Sequence, residues 1–321
     1  MSSSQHGVAV IGLGTVGLRY VEQFQLDDRF VVVGGFDASP DAAAAAAERF
    51  GIDVSLPAEV LIADERVDVV YVAVPPVHHA AYVEQVVAAG KALLCEKPLG
   101  VEDDESVAMV ERVAGSARGA AVNFVFGAAP AAVALLDDVR ATDTTLVGVD
   151  LKVHFEQWPR PWQAGATWLR DRDQGGWTRE VVSHFVFLAQ RLLGPLTIER
   201  SAAGFPDDGS SERWLTAELD GGGVPVRIGG SSDTAGPDEV ELTVRGVDRS
   251  WRLTNWYGYS IADAGGPWRP GLSDAAASGP AAYAAQLGQL AALVEGRPNT
   301  LATFGEALQV QRIIEAMLVD T

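Results

Sequence analysis

The sequence has a single cysteine, Cys95, among 321 residues, which excludes an intramolecular disulfide framework. Basic side chains are also scarce, because 24 Lys and Arg oppose 43 Asp and Glu and give a formal net charge of -19. Such a charge repels phosphate backbones and anionic membranes, so nucleic acid and membranes are poor candidate partners. No apolar run approaches the roughly 18 residues that span a bilayer, and the N-terminus lacks the basic-then-apolar pattern of a secretion signal. We therefore expect a cytoplasmic protein.

Tryptophan is missing from the first part of the chain: all eight copies lie at or after Trp158. The strand and helix pattern changes at a similar place. Before about residue 125, short apolar segments alternate with helical ones, which is typical of a parallel sheet covered on both faces. Later strand-like segments predict a second, antiparallel or mixed sheet. We expect an α/β domain over residues 1–122, an α+β domain over 123–300 and a closing helix over 301–321.

The predicted elements have definite positions. Strands are expected at 8–11, 30–36, 69–74 and 92–95, with helices at 42–49 and 80–89. In the second domain, strands are expected at 145–154, 214–219, 224–228, 240–245 and 251–253. Thr303 and Glu306 fit a capping box at the start of the closing helix.

A glycine-rich turn, GLGTVG at residues 12–17, follows the first predicted strand and opens a helix. This is the spacing and context of the dinucleotide fingerprint, in which Gly12 permits the turn, Gly14 admits a pyrophosphate and Gly17 allows close packing. Asp37 lies at the end of the second predicted strand, where a carboxylate can bind ribose hydroxyls and repel a 2'-phosphate. The sequence predicts NAD or NADP, with NAD favoured. The alternative is a glycine-rich turn beside a surface aspartate.

A second group of residues ends the third and fourth predicted strands. Pro75 and His79 follow one strand, and the run CEKP at residues 95–98 ends the other. Since the carboxyl ends of parallel strands line the ligand crevice, these residues are expected near the cofactor. Together with the glycine turn, this constellation resembles the Gfo/Idh/MocA family of glucose-fructose oxidoreductases and inositol dehydrogenases.

The resemblance continues beyond the first domain through Gly175, Gly176, Glu180 and His184, which are similar to the family's paired-glycine, Asp and His helix. It implies a Rossmann domain followed by an open-faced β-sheet domain whose sheet commonly forms the interface of a homo-oligomer. It also implies that Lys97 lies beside the nicotinamide, in a Lys-Pro link that is often cis. Glu180 stands where the family usually has Asp, and Val182 stands where it usually has a small residue. A longer carboxylate and a bulkier neighbour should shrink or re-aim the pocket, which argues against a polyol substrate such as inositol.

The predicted site follows from the resemblance and from the chemistry of hydride transfer, in which a proton must move with the hydride. Lys97 is the expected proton donor or acceptor, with His184 orienting the substrate or sharing the proton and Glu180 assisting it. The alternatives are a solvated surface lysine and a purely structural histidine. No metal is expected, because no metal-ligand spacing occurs. The residues predicted to bind the cofactor are Gly12, Gly14, Thr15, Val16, Gly17, Asp37, Pro75, His79, Glu96 and Lys97.

Four tryptophans fall within residues 158–177, interleaved with arginines. Trp162, Trp177 and Arg160 are the predicted substrate contacts, since indole rings can wall a pocket and a guanidinium can bind a carboxylate. Arg170 is an alternative to Arg160, and the tryptophans equally fit a subunit interface or packing under a loop.

The leading functional hypothesis is an NAD(P)-dependent dehydrogenase or reductase of a small sugar, cyclitol, carbonyl or imine substrate. A glycosidase of the same fold, which recycles tightly held NAD, and a non-catalytic NAD(P)-sensing protein are the alternatives. The residues do not fix the substrate, the direction of reaction or the oligomeric state.

Overall fold

A computed structural model describes residues 5–319, which form two compact units. The first unit contains the residues up to Phe124 together with Gln286–Leu308, and the second contains Val125–Ala285 and the residues from Gln309 onward. The first four residues, on which the argument against a secretion signal partly rests, and the last two residues of the predicted closing segment lie outside the described range. Both units are discontinuous in sequence, whereas the predicted domain ranges are continuous, and those ranges stay predictions.

The first unit is built on a five-stranded parallel sheet. Its strands are β1 (His6–Ile11), β2 (Phe30–Phe36), β3 (Val69–Val72), β4 (Ala92–Cys95) and β5 (Ala120–Val122). Its helices are α1 (Thr15–Leu26), α2 (Pro40–Phe50), α3 (Ala58–Ala63), α4 (His79–Ala88) and α5 (Asp103–Ala114), with a 3-10 turn at Pro76–His78.

Local sequence signals explain the bounds of these elements. Ser39 caps α2 by accepting a hydrogen bond from the Ala42 amide, Pro40 occupies the first helical position, and Gly51 ends the helix in the left-handed conformation. Strand β3 ends two residues earlier than predicted, because the chain turns before Pro75, which has no amide hydrogen to donate to a ladder.

The strand order β2-β1-β3-β4-β5 places the candidate cofactor residues at one edge of the sheet. All four strand pairs are parallel, so every carboxyl end lies on the same side. The chain winds in one direction from β1 to β2 and in the other from β3 onward. The crevice between the carboxyl ends of β1 and β3 is therefore the switch point at which ligands bind in such sheets.

The second unit is built on an eight-stranded sheet of order β13-β12-β11-β10-β6-β9-β8-β7. The strands are β6 (Leu146–Phe155), β7 (Thr197–Gly204), β8 (Trp214–Gly221), β9 (Val224–Ser232), β10 (Glu239–Gly246), β11 (Arg249–Thr254), β12 (Gly258–Asp263) and β13 (Arg269–Pro270). The remaining helices are α6 (Pro130–Arg140), α7 (Ser183–Leu193), α8 (Gly279–Val294) and α9 (Phe304–Met317). A π-helical turn at Thr178–Val182 leads into α7, and 3-10 turns lie at Val125–Gly127, Pro161–Gln163 and Thr167–Arg170.

This second sheet is mixed, because β6 and β9 are parallel while the other pairs are antiparallel. Along β6, Val149, Leu151 and Val153 are buried, whereas Lys152 between them is exposed. Helices α6 and α7 contact the sheet through β11 and β8. The predicted fold class, a Rossmann-type parallel sheet followed by a separate sheet domain, is confirmed.

No helix within residues 5–319 is long and apolar enough to cross a lipid bilayer.

Candidate active site

The turn between β1 and α1 contains the three glycines of the predicted fingerprint. Gly12 has a φ of +96°, a conformation that residues with side chains rarely adopt. A Cβ atom on Gly17 would lie 1.9 Å from the Gly12 carbonyl oxygen, so only glycine lets α1 approach the turn this closely. In contrast, a Cβ atom on Gly14 would meet no described atom within 4 Å. The fold thus requires glycine at positions 12 and 17, whereas Gly14 faces open space.

The start of α1 is suited to an anion. The amides of Thr15 and Val16 precede the first intrahelical bond, which Leu18 donates to Gly14 at 2.9 Å. Among the described residues no side chain caps this helix end. Unpaired amides and the positive end of the helix dipole bind phosphate groups without a cationic side chain. The open space at Gly14 and this uncapped end together fit the pyrophosphate of a dinucleotide.

Asp37 is fixed by two backbone amides. Its Oδ2 accepts a hydrogen bond from Leu13 at 2.7 Å, and its Oδ1 accepts one from Ser39 at 2.8 Å. These bonds join the end of β2 to the glycine turn, a role that the sequence did not reveal. A carboxylate has about four acceptor positions, so this half-buried side chain keeps capacity for ribose hydroxyls.

Lys97 follows β4 and is only 8% exposed. The Lys97–Pro98 peptide bond is cis, as the family resemblance implied. The carboxylate of Glu96 accepts a hydrogen bond from the Lys97 amide at 3.3 Å through Oε2. Through Oε1, the same carboxylate accepts bonds from the hydroxyl of Tyr71 and the side-chain amide of Asn123.

A buried polar network therefore supports the end of β4. Asn123 Oδ1 accepts hydrogen bonds from the Tyr20 hydroxyl at 2.9 Å and from Gln286 Nε2 at 2.8 Å. The network links α1 and α8 to Glu96, and Asn123 directly follows β5, the strand that the sequence did not predict. Glu96, predicted as a cofactor contact, thus also holds Lys97 in place through its backbone.

His79 is fully buried at the start of α4. Its ring nitrogens lie 3.1 Å from the Leu99 carbonyl oxygen and 2.9 Å from that of Val74. Burial lowers the pKa of His79, because it disfavours the charged ring. His79 ties the segment after β3, which contains Pro75, to the segment after Lys97, and this contact is structural.

In the second unit, Glu180 and His184 are carried by the π-helical turn and the first turn of α7. Arg179 anchors this region: its Nε and one terminal nitrogen each bind a carboxylate oxygen of Glu315 at 2.6 Å. Its other terminal nitrogen donates to the carbonyl oxygens of Arg172 and Gly175 at 2.7 and 2.8 Å. Single π-helical turns are frequent at functional sites.

A buried carboxyl group lies beneath the same helix start. Glu212 is 1% exposed, and its Oε1 accepts a hydrogen bond from the Thr178 amide at 2.6 Å. A Cβ atom on Gly176 would lie 2.2 Å from Glu212 Oε2, which explains one glycine of the predicted pair. Burial raises the pKa of Glu212. Sequence reasoning missed this residue because it comes from the segment before β8.

His184 lies in an aromatic cluster of Phe126, His184, Phe185 and Trp256. The ring centroids of Phe126 and Trp256 lie 6.2 and 5.3 Å from that of His184, both in edge-to-face arrangements. The Val125 amide donates a hydrogen bond to His184 Nδ1 at 3.4 Å. Because Nδ1 accepts this bond, the neutral imidazole carries its hydrogen on Nε2. No sequence motif points to Trp256, which lies 72 positions further along the chain.

Glu180 is linked to the predicted substrate contacts by hydrogen bonds. Its Oε1 accepts a bond from Gln163 Nε2 at 3.0 Å, and Gln163 Oε1 accepts one from Arg160 Nε at 2.9 Å. The Arg160 guanidinium lies 4.7 Å from the centroid of Trp162, which is 41% exposed. The structure thus brings Glu180, Arg160 and Trp162 together through Gln163, a residue that sequence reasoning missed.

Trp177 occupies a different place. Its indole is fully buried, donates a hydrogen bond to the Glu212 carbonyl oxygen at 3.0 Å and packs on Gly230 of β9. Trp177 thus occupies a core position, whereas the sequence predicts a substrate contact for it.

Residues 6–125 match the oxidoreductase family Gfo/Idh/MocA, described as having an NAD-binding Rossmann fold. The match agrees with the family resemblance and with an NAD-binding Rossmann fold over these residues. Among residues 5–319, no group of three or more His, Cys, Asp or Glu side chains is arranged to hold a metal ion.

A curated protein is similar to part of the chain. The inositol 2-dehydrogenase of Rhizobium meliloti (strain 1021) is 26% identical over 201 residues, which are 60% of this chain and 57% of that protein. The match therefore spans little more than half the length of this curated relative.

Solved structures resemble the whole chain. GenD2 from gentamicin A biosynthesis, in complex with NAD, gives a TM-score of 0.80 at 22% identity, over 98% of this chain and 94% of its own. Levoglucosan dehydrogenase, in complex with NADH and L-sorbose, gives a TM-score of 0.82 at 18% identity, over 98% of this chain and 96% of its own. At such identities these likenesses show the fold alone.

Proposed function

We propose that this chain is an NAD-dependent dehydrogenase or reductase of a small sugar-, cyclitol-, carbonyl- or imine-type substrate, with Lys97 as proton donor or acceptor. The observation that carries the proposal is the position of Lys97. It is a nearly buried lysine at the carboxyl end of β4, in the same parallel sheet as the glycine turn. NAD, when bound, supplies the hydride acceptor. Lys97 Nζ takes the hydroxyl proton as the hydride leaves carbon, and returns it in the reverse reaction.

The hydrogen bond from Val125 assigns a separate role to His184. With its hydrogen on Nε2, the neutral imidazole donates a hydrogen bond to a substrate oxygen and does not accept a proton from it. This division of roles favours Lys97 as the proton carrier and His184 as the group that orients the substrate.

Substrate binding is assigned to the contacts around Gln163. Glu180 accepts hydrogen bonds from substrate hydroxyls, Arg160 binds an anionic or polar substituent, and Trp162 walls the site. The curated protein that is similar to part of the chain is an inositol 2-dehydrogenase, which supports a small sugar- or cyclitol-type substrate. Glu180 and Val182 argue for a pocket of different shape, so inositol itself is not the proposed substrate.

The experiment that tests the proposal is a substrate screen followed at the nicotinamide absorbance, with Lys97→Met beside the wild type. Turnover should fall by roughly 10²- to 10⁴-fold, while the Kd for NAD measured by calorimetry changes little. Lys152→Met is the matched control, because Lys152 lies on the exposed face of β6 in an ion pair with Glu239. Unchanged turnover in Lys97→Met would remove Lys97 from its role. Glycoside cleavage without net NADH would instead indicate the NAD-recycling glycosidase.

A homo-oligomer in the cytoplasm stays a prediction. The outward face of the second sheet carries paired charges, among them Asp150 with Arg227 and Lys152 with Glu239. Association through this face is tested by light scattering after size exclusion, where a monomer would contradict it.

A further inference from the structure

We infer that Trp256 is a positioning residue for His184, which fixes the orientation and the tautomer of its imidazole. The inference rests on the proposed role of His184 as a substrate-orienting group. Its own support comes from a strained backbone conformation and from a set of ring contacts, both within the second unit.

The backbone at Trp256 is unusual. Asn255, Trp256 and Tyr257 form the connection between β11 and β12, and the first two have φ values of +47° and +73°. In such tight hairpin connections glycine and asparagine adopt left-handed conformations at low cost, whereas a bulky aromatic residue is a steric outlier there. Strained conformations persist only where surrounding contacts impose them, and they cluster at functional sites. The turn itself therefore gives no reason for an indole at this position.

The side-chain contacts supply that reason. The Trp256 centroid lies 5.3 Å from His184 with the rings at 84°, and 5.9 and 5.6 Å from Phe126 and Phe185. Phe126 and Phe185 are 1% and 2% exposed, and His184 is 7% exposed, while Trp256 is half-buried. Trp256 is thus the outer ring of the cluster.

These contacts leave the imidazole little freedom. Phe126 and Trp256 each pack edge-to-face with it, and the Val125 amide occupies Nδ1. Rotation of the imidazole about its Cβ–Cγ bond would break the Val125 bond and move the ring against these neighbours. Without the indole, water can reach the ring and replace Val125 as a partner of Nδ1. Both neutral tautomers would then be populated, and Nε2 would lose its fixed role as donor.

The test uses two substitutions that relieve the same kind of strain. Trp256→Gly and Asn255→Gly each place glycine at a left-handed position, but only the first removes the ring beside His184. Nitrogen NMR of the histidine side chains in the full chain reports the His184 tautomer without substrate, and His184→Asn assigns its resonances. In Asn255→Gly, the His184 resonances and the turnover should equal those of the wild type.

In Trp256→Gly, the two ring nitrogens should shift towards values averaged over both tautomers. With a substrate from the screen, kcat should fall by roughly 10- to 100-fold at an unchanged KM for NAD. Trp256→Phe should restore the spectrum and most of kcat. If Trp256→Gly does not fold, Trp256→Leu replaces it, because leucine keeps a large apolar side chain at this position but has no aromatic ring.

Wild-type His184 resonances in Trp256→Gly, or in Trp256→Leu where it replaces the glycine variant, would overturn the inference. Because the spectrum is recorded without substrate, this result is independent of whether His184 and Lys97 act in the reaction. A shifted spectrum with an active Lys97→Met would therefore contradict the proposed function and leave the inference standing.

Discussion

The glycine turn of the first unit and the His184 helix of the second differ in how they are held. The turn is held within the first β-α-β segment, where Gly12 contacts Gly17 and Asp37 binds Leu13, 24 positions before it. The helix is held by residues far away in sequence: Glu212 lies 34 positions from Thr178, and Glu315 lies 136 positions from Arg179. A locally held element is visible as a sequence motif, whereas an element held from a distance shows only the residues it carries.

The largest effect is expected where a distant contact is removed. Arg179→Met deletes the ion pair between the buried Arg179 and the partly exposed Glu315, and it leaves the carbonyl oxygens of Arg172 and Gly175 without their donor. The free energy of unfolding should fall by about 3 kcal/mol, measured by urea titration. Arg200→Met is the control, since the exposed Arg200–Glu218 pair should contribute about 1 kcal/mol or less. Equal losses in both variants would show that the Arg179 contacts do not hold the helix.

Two alanine substitutions separate the roles of the glycines. Gly17→Ala places a methyl group against the Gly12 carbonyl oxygen and should destabilise the first unit by about 1–3 kcal/mol or more. Gly14→Ala meets no described atom within 4 Å, so its stability should equal or slightly exceed that of the wild type. Its methyl group should nevertheless weaken NAD binding in calorimetry. If Gly14→Ala binds NAD as the wild type does, the pyrophosphate does not lie at this turn.

The sequence predicted the locally held elements better than the elements that are held by distant residues. Strands β2 and β4 have the predicted bounds, and the capping box of α9 is present, with the Glu306 amide bonded to Thr303 Oγ1 at 3.2 Å. Strand β5 was missed because it has three residues. The edge strand β7 was missed because its burial does not alternate, so no period of two appears in its sequence.

The candidate site shows the same division. The glycine turn, Asp37 and Lys97 could be predicted because each follows the end of a strand, and the carboxyl ends of parallel strands line the ligand crevice. Gln163, Glu212 and Trp256 belong to no sequence motif. Only the folded chain brings them to Glu180, Thr178 and His184, respectively. Trp177 was predicted to contact substrate because it belongs to a cluster of four tryptophans in the sequence. Such a cluster does not distinguish a residue of a pocket wall from a residue of the core.

A smaller effect, dependent on pH, tests the buried carboxyl group beneath the helix. Burial raises the pKa of Glu212 above its ordinary value of 4.5 in the unfolded chain. The protonated side chain therefore contributes stability that is complete below about pH 4.5 and is lost as the pH rises through the folded-state pKa. Glu212→Gln keeps an acceptor for the Thr178 amide and does not ionise.

The comparison is made by urea titration at several pH values above 4.5. The wild type should lose stability relative to Glu212→Gln, with a slope of at most about 1.4 kcal/mol per pH unit. A constant difference between the two proteins would show that folding does not raise the pKa of Glu212.

The central claim is that the turn at Gly12–Gly17 and Asp37 bind NAD for hydride transfer. It is tested most directly by calorimetric titration of cofactor-stripped protein with NAD(H) and NADP(H), with Asp37→Ala in parallel. We expect the wild type to bind NAD(H) more tightly than NADP(H), and Asp37→Ala to lose affinity for NAD(H) more than for NADP(H). Binding of neither cofactor by the folded wild type would contradict the account.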